Sequence, residues 1–234
     1  KGIGLVDRIL MTEIGGLERK TVSDYRIRIR YGDKDIAYIP IRVVITPQDW
    51  LRFARNSEKQ SVQIESLKQA IALNRTDVGV RKMLAGIYLR SNRLEEAASQ
   101  YAEILQLKPG DRGAVADLAT VYMRRKSYDK ALPLWQRLAR AAPKDASVHA
   151  NLGVAFGGLG EWEKAIESYK QAMRLSPDNQ AIRFRLGEAF EKTGRTDKAL
   201  EQYSIVIQKE PGDEQVMAAL AGAFLRMKRY DDAI

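Results

Sequence analysis

From residue 78 to the end of the chain, apolar positions recur at spacings of three and four, the period of helices that bury one face. The whole pattern then repeats every 34 residues. In register, Leu84, Leu118, Leu152, Leu186 and Leu220 form one column. Ala85, Ala119, Gly153, Gly187 and Ala221 form a column of small residues beside it, and an aromatic follows at Tyr88, Tyr122, Phe156, Phe190 and Phe224. Alanine recurs at Ala97, Ala131, Ala165, Ala199 and Ala233, with aromatics four residues on at Tyr101, Trp135, Tyr169 and Tyr203. Pro109, Pro143, Pro177 and Pro211 close the units. Each unit therefore predicts two amphipathic helices. The small residues let the helices approach, and the aromatics fill the space between one pair and the next. Glu95, Asp129, Glu163, Asp197 and Asp231 fall in the first turn of each second helix, where an anion offsets the positive end of the helix dipole. The closing prolines stop one helix before the next begins.

Upstream the pattern changes. "IESLKQAIALN" (64–74) matches "IESYKQAMRLS" (166–176), so a second helix of the same kind is expected there. Its partner "TPQDWLRFARN" (46–56) places Trp50 in the leucine column and Ala54 in the aromatic one, and Arg75 replaces the closing proline. Thr46 as cap and Pro47 at the first helical position still predict a helix. Residues 46–77 thus read as a divergent leading repeat. Before it, "YRIRIRY" (25–31) alternates strictly, "GDKD" (32–35) signals a turn, and "IAYIPIRVVI" (36–45) reads as a returning strand, with Pro40 pointing to an edge or bulge. "VDRILMTEI" (6–14) is a further candidate strand. So small a β segment, residues 1–45, must dock on helices, belong to a larger β domain or pair with another chain. The last repeat stops at Ile234, just inside its second helix, and the repeats are expected to continue beyond it.

Leu-Ala/Gly, an aromatic three residues after the small one, then alanine, aromatic and closing proline: this signature resembles the tetratricopeptide repeat family over 78–234, as four full repeats and a truncated fifth. "GLGEWEKAIESYKQAMRLSPDN" (158–179) is similar to the family consensus. The resemblance implies a mainly α fold, a right-handed superhelical solenoid of antiparallel helix pairs, here preceded by the small β segment. It also implies a concave groove lined by the first helices. The family's ligand-facing positions fall on Lys82, Leu89 and Arg90 in the first full repeat and on Thr120, Met123 and Arg124 in the second. In the third they fall on Ala150, Val154, Gly157 and Gly158, and in the fourth on Phe184, Glu188, Glu191 and Lys192. The groove is then mostly small and apolar, suited to a helix or an extended segment. Gly157 and Gly158 read either as room for a ligand backbone or as a soft joint. Arg90, Arg124, Lys192 and Arg226 form a basic column broken at Gly158. It either caps the carbonyl ends of the first helices or steers an acidic partner. The family's clamp for acidic chaperone tails is not expected: Lys82 fits it, but Gly86, Thr120, Ala150 and Val154 do not.

Charge and composition narrow the functional classes. The 234 residues carry 39 basic and 30 acidic side chains, a net charge of +9, which favours anionic partners. The sequence has no cysteine, which excludes disulfides, thiolate metal sites and cysteine nucleophiles. No apolar run is long enough to span a bilayer. "GIGLVD" (2–7) has the GxG of a dinucleotide fingerprint without its third glycine. The arginines of "RIRIR" could grip phosphates, against the commoner reading of a charged strand edge. His149, the one histidine, falls at a packing position with Asp145 one turn before it and Ser147 facing elsewhere. Neither a catalytic residue nor a metal or cofactor site is expected. The leading expectation is a non-enzymatic scaffold for protein segments, acidic ones among them, with self-association through an uncovered strand edge or last helix. Anionic-polymer binding along the basic lip and the RIRIR strand is the alternative. A bacterial envelope location is favoured over the cytoplasm.

Overall fold

An aspartate or asparagine begins each first helix from the first full repeat onward. The Oδ1 atoms of Asp77, Asp111, Asn179 and Asp213 accept the backbone N–H of the residue three further on, at 3.0–3.1 Å. Asp145 accepts from Ser147 N at 2.9 Å instead. These caps recur every 34 residues and satisfy a donor that the helix itself leaves open. The computed structural model that shows them describes residues 22–31, 34–209 and 211–226, with side chains from 44 to 225 of that range.

The described chain forms two units, residues 1–87 and 88–234. In the first, β1 (Val22–Tyr31) and β2 (Lys34–Val44) pair antiparallel, with Val22 opposite Val44 and Ile27 opposite Ile39. The register shifts where Ile29 faces Ala37 and Arg30 faces Asp35, which leaves Ile36 as an extra residue. The irregularity is there and not at Pro40, which stays in register opposite Arg26. The candidate strand 6–14, the GIGLVD segment and the side chains of the RIRIR strand lie outside the described residues.

After β2, Thr46 caps α1 (Pro47–Asn56) with a reciprocal bond pair. Thr46 Oγ1 accepts from Asp49 N at 3.3 Å, and Thr46 N donates to Asp49 Oδ2 at 2.9 Å. Partial burial works to raise the Asp49 pKa, but the Thr46 hydrogen bonds and the Arg52 charge outweigh it and hold the carboxyl below its usual value. Trp50 and Phe53 meet edge to face on this helix, 5.7 Å between ring centres, and both are buried. α2 (Gln60–Leu73) packs against α1 through Ile64, Leu67 and Ala70. α3 (Val78–Arg90) follows.

In the second unit the helices run α4 (Leu94–Leu107), α5 (Arg112–Arg124), α6 (Tyr128–Ala141), α7 (Ala146–Gly158), α8 (Trp162–Leu175), α9 (Gln180–Lys192), α10 (Thr196–Lys209) and α11 (Glu214–Arg226). Each packs against the next in chain order, the arrangement of an α-solenoid. The closing prolines stand two residues after each second helix. The residues before them, Lys108, Ala142 and Ser176, have φ near −140° and ψ of 68–79°, away from the helical region as a following proline requires.

The glycines of the small column make room for a ring. A Cβ on Gly153 would lie 2.5 Å from Tyr169 Cε1, and one on Gly187 would lie 2.5 Å from Tyr203 Cε1. The second-helix tyrosine therefore sits on the bare backbone of the first helix of its own repeat. Ala119 and Trp135 share a buried cluster with Val115, Leu138, Val148 and Leu152. The next cluster holds Tyr169, Phe184, Leu186, Phe190 and Tyr203.

The turn between the two helices of a repeat is the same each time. Asn92, Lys126, Gly160 and Gly194 hold φ of +57°, +57°, +78° and +74°. The next residue's N–H returns to the carbonyl of the first-helix aromatic: Arg93 to Tyr88 at 2.8 Å, and Ser127 to Tyr122, Glu161 to Phe156 and Arg195 to Phe190 at 2.9 Å. With the inner bonds Lys126 N to Met123 O at 2.9 Å and Gly160 N to Gly157 O at 3.0 Å, which span three residues, this is a Schellman closure. A cation covers each of these rings. Lys130, Lys164 and Lys198 lie 5.6–5.9 Å from the centres of Tyr122, Phe156 and Phe190. In the first full repeat Glu96 stands in the lysine column. Arg93 covers Tyr88 instead, at 4.6 Å, and is tied to Glu96 by a 2.7 Å bond. Lys126 carries a side chain in a conformation that favours glycine. Lys126→Gly should stabilise the array and Gly160→Ala should destabilise it, each by about 0.5–1 kcal/mol. Denaturant unfolding of the two variants against the parent checks both signs.

Candidate functional site

The first-helix positions expected to line a groove divide by what packing has already done with them. On α5, Thr120 is exposed and its hydroxyl donates back to Ala116 O at 2.9 Å. Met123 and Ala116 are half-buried against the cluster around Trp135. On α7, Ala150 and Val154 are half-buried against the cluster that contains Phe184. On α9, Glu188 pairs with Arg185 at 2.8 Å, Glu191 accepts the Tyr203 hydroxyl at 3.1 Å, and Lys192 is exposed. Leu89 is half-buried and Arg90 exposed at the end of α3, while Lys82 belongs to the other unit and is half-buried there.

Three of the expected positions are set by packing: Phe184 and Gly157 are buried, and Gly158 is exposed beside a ring. Phe184 is buried, its ring 5.4 Å from that of Tyr203. It belongs to the core, because the short side chains of Ala150 and Val154 on the preceding first helix leave it space. Gly157 is buried, and a Cβ there would lie 2.9 Å from Trp162 Cζ3. A Cβ on Gly158 would lie 2.5 Å from the ring of Tyr128. The two glycines therefore open no room for a ligand. One admits the tryptophan that begins the second helix of the same repeat, and the other admits the tyrosine that begins the second helix of the repeat before.

The basic column is also partly committed. Arg124 donates to Leu89 O at 3.1 Å and to Asn92 Oδ1 at 3.0 Å, so its guanidinium fastens the turn of the preceding repeat. It does cap the carbonyl end of a first helix, but not its own. Arg226 has no described side chain. Tyr101 is buried near this end, and burial first, then the charge and hydrogen bond of Asp117, push its hydroxyl up to about 12. Burial likewise raises Tyr169 and Tyr203. These phenols are protonated core groups at neutral pH.

His149 lies with its Nε2 2.9 Å from Pro143 O. A carbonyl only accepts, so that nitrogen carries the proton. The same carbonyl six residues upstream is used at Arg183, whose terminal nitrogen donates to Pro177 O at 2.8 Å, and at Arg81, which donates to Arg75 O at 2.9 Å. Val115 cannot do this, and Arg137 on α6 bonds Pro109 O in its place. The histidine is one solution to a recurring problem, the open carbonyl of the loop between repeats. Asp145 and Ser147 serve the same helix end. Ser147 Oγ donates to Asp145 Oδ1 at 2.6 Å, and that bond first, with the Ser147 N–H, holds the carboxyl below its ordinary value.

A further set of residues, on α8, α9 and α10, belongs to no family motif. Lys170 and Arg174 on α8, Arg183 on α9 and Gln202 on α10 line one cleft. The available signal was a break in the repeat: Gln136 and Ser204 stand in the column of Lys170, and Val115 and His149 in that of Arg183.

Sequence models described as tetratricopeptide repeat match residues 64–112, 92–152 and 184–234, and one described as TPR repeat matches 158–194. The chain belongs to the tetratricopeptide repeat family. Among solved structures, MamA 41-end from Desulfovibrio magneticus RS-1 is similar at 21% identity and a TM-score of 0.66, over 72% of this chain and 97% of that one. YrrB, described as a TPR protein with an unusual peptide-binding site, is similar at 22% identity and a TM-score of 0.59, over 73% and 88%. MamA AMB-1 is similar at 25% identity and a TM-score of 0.58, over 69% and 95%. No curated protein matches the sequence. The shared property at these identities is the fold.

His149→Leu leaves the Pro143 carbonyl without its side-chain donor and should cost about 0.5–1.5 kcal/mol. His149→Arg, the residue used at the equivalent positions, should stay close to the parent. Thermal unfolding of both variants measures the difference.

Proposed function

We propose that the array is a protein-interaction scaffold whose first helices bind a helical or extended segment of another protein. The observation that carries this reading is a strip on α5 and α7. Ala116, Thr120, Met123, Ala150 and Val154 remain half-buried or exposed there after the core is formed. They are small or flexible and almost wholly apolar. A segment laid across them would bury apolar surface at each step of the repeat. Phe184 closes the strip toward α9, and Glu188 and Glu191 edge it. Membership of a family of stacked helix pairs and the likeness to peptide-binding YrrB support the same reading. The basic lip contributes less than the sequence implied, because Arg124 is engaged with Leu89 and Asn92. Binding of an anionic polymer therefore gains no support from the column.

A photo-crosslinking side chain placed at Thr120 or Val154 should trap a protein in the native host. The same group at Glu201, exposed on a second helix, should not. Val154→Arg should abolish the Thr120 adduct in a chain whose circular dichroism matches the parent. Equal adducts from Glu201, or none from either first-helix position, would refute the strip.

A further inference from the structure

The cleft between α8, α9 and α10 has a volume of about 350 Å³ and opens to solvent. That is at the small end of ligand sites, room for one or two amino-acid side chains. Its polar lining is Lys170, Arg174, Arg183 and Gln202, and Met173, Pro177 and Leu186 are the apolar part of its wall. No carboxylate is among the lining residues, so three cations face an apolar wall with nothing in the wall to neutralise them.

Ordinary structural duties account for some of this chemistry. Lys170 Nζ bonds Glu167 Oε1 at 2.8 Å, Arg174 Nε bonds Gln171 Oε1 at 3.0 Å, and Arg183 holds Pro177 O and Gln202 Oε1 at 2.8 and 3.3 Å. The Lys170–Glu167 pair is solvent-exposed and intrahelical, the kind that exchanges freely with other anions. The Lys170 hydrogen bond first, then the Lys170, Arg174 and Arg195 charges, pull the Glu167 carboxyl below its ordinary value. Arg183 exceeds what the loop requires. His149 holds the equivalent Pro143 carbonyl with a single ring nitrogen, whereas Arg183 adds a permanent charge and a buried Nε with no hydrogen-bond partner. One repeat earlier the same positions hold Gln136, Arg140, His149 and Ser168. The concentration of cations belongs to this junction.

We propose that the cleft binds a carboxylate carried beside an apolar side chain in an acidic segment of a partner protein. The carboxylate sits between Lys170, Arg174 and Arg183, where guanidinium groups match its planar geometry. The neighbouring apolar side chain lies on Met173 and Leu186. A bare phosphate would fill the cationic rim and leave the apolar wall wet, so the wall is what selects a peptide. The cleft is built by α8, α9 and α10 and shares no residue with the strip on α5 and α7 of the proposed function, and either can fail alone.

The test is fluorescence anisotropy of the full chain with a short labelled peptide of alternating leucine and glutamate. Saturable binding is expected at about 10 μM to 1 mM, falling as salt rises. A matched leucine–glutamine peptide should not bind. Lys170→Ala and Arg174→Ala, both at sites open to solvent, should each weaken binding several-fold, and together by about tenfold or more. Arg183→His, which keeps a donor for the Pro177 carbonyl as His149 does for Pro143, should weaken it about tenfold while leaving the unfolding midpoint near the parent. Val154→Arg should leave the affinity unchanged. Amidating the peptide's end assigns the anchor: retained binding places a side-chain carboxylate in the cleft, lost binding places the terminal one there. The proposal is overturned by absence of saturable binding, by equal binding to the Lys170→Ala/Arg174→Ala chain, or by loss of binding in Val154→Arg alone. Displacement of the peptide by equimolar inorganic phosphate would also overturn it, as the mark of a small-anion site.

Discussion

The third and fourth repeats depend on a tyrosine ring resting against helix backbone. In the third and fourth repeats the second helix presents Tyr169 and Tyr203, and the first helix meets them with Gly153 and Gly187, where even a methyl group would overlap the ring. Glycine inside a helix costs about 1 kcal/mol relative to alanine. The array accepts that cost because the ring, fully buried in the case of Tyr203, removes a large apolar area from water and fixes the distance between the two helices. The Schellman turn then has to reverse the chain within a few residues, which explains the positive φ at each turn. The caps and the loop carbonyls follow from the spacing that the turn and the ring impose.

This packing determines which surface is left for binding. Gly157 and Gly158 look open in a list of residues, but rings from Trp162 and Tyr128 occupy the space above them. Phe184 is consumed by the core, and Arg124 by the turn of its neighbour. What remains apolar on α5 and α7 is the narrower strip from Ala116 to Val154. A cluster of three cations lies elsewhere, where Lys170 and Arg174 of α8 meet Arg183 of α9. A scaffold with an apolar strip on α5 and α7 and a cationic cleft among α8, α9 and α10 can hold two features of a partner, or two partners, without either competing for space.

The helices were legible because their columns are chemical as well as periodic. Leucine, a small residue, an aromatic and proline recur in phase, and Thr46-Pro47 marks a helix start even where the pattern weakens. The roles of single residues were harder to read. A glycine in a sequence records only a missing side chain, and the ring that fills its place comes from a position that the sequence does not mark as near. For Gly158 that ring belongs to another repeat, 30 residues earlier. The cap column was present as an aspartate or asparagine two residues after each proline, yet Asp77 lacks the proline and Asn179 the acid, so it hid behind the proline itself. His149 drew attention as the one histidine. Its function emerged only from comparison with Arg81 and Arg183, which differ from it in everything but the ability to donate to a carbonyl.

The central claim, that ring-on-backbone packing sets the geometry of the array, makes a prediction opposite in sign to local helix propensity. Gly187→Ala and Gly153→Ala place a better helix former in the middle of a helix, which by propensity alone should stabilise by up to about 1 kcal/mol. If the tyrosine rings fill those positions, each substitution should instead destabilise by about 1–3 kcal/mol, as overpacking does. Equilibrium denaturant unfolding of the two single variants decides between them. A lowered midpoint in both supports the account, and a raised midpoint in either contradicts it.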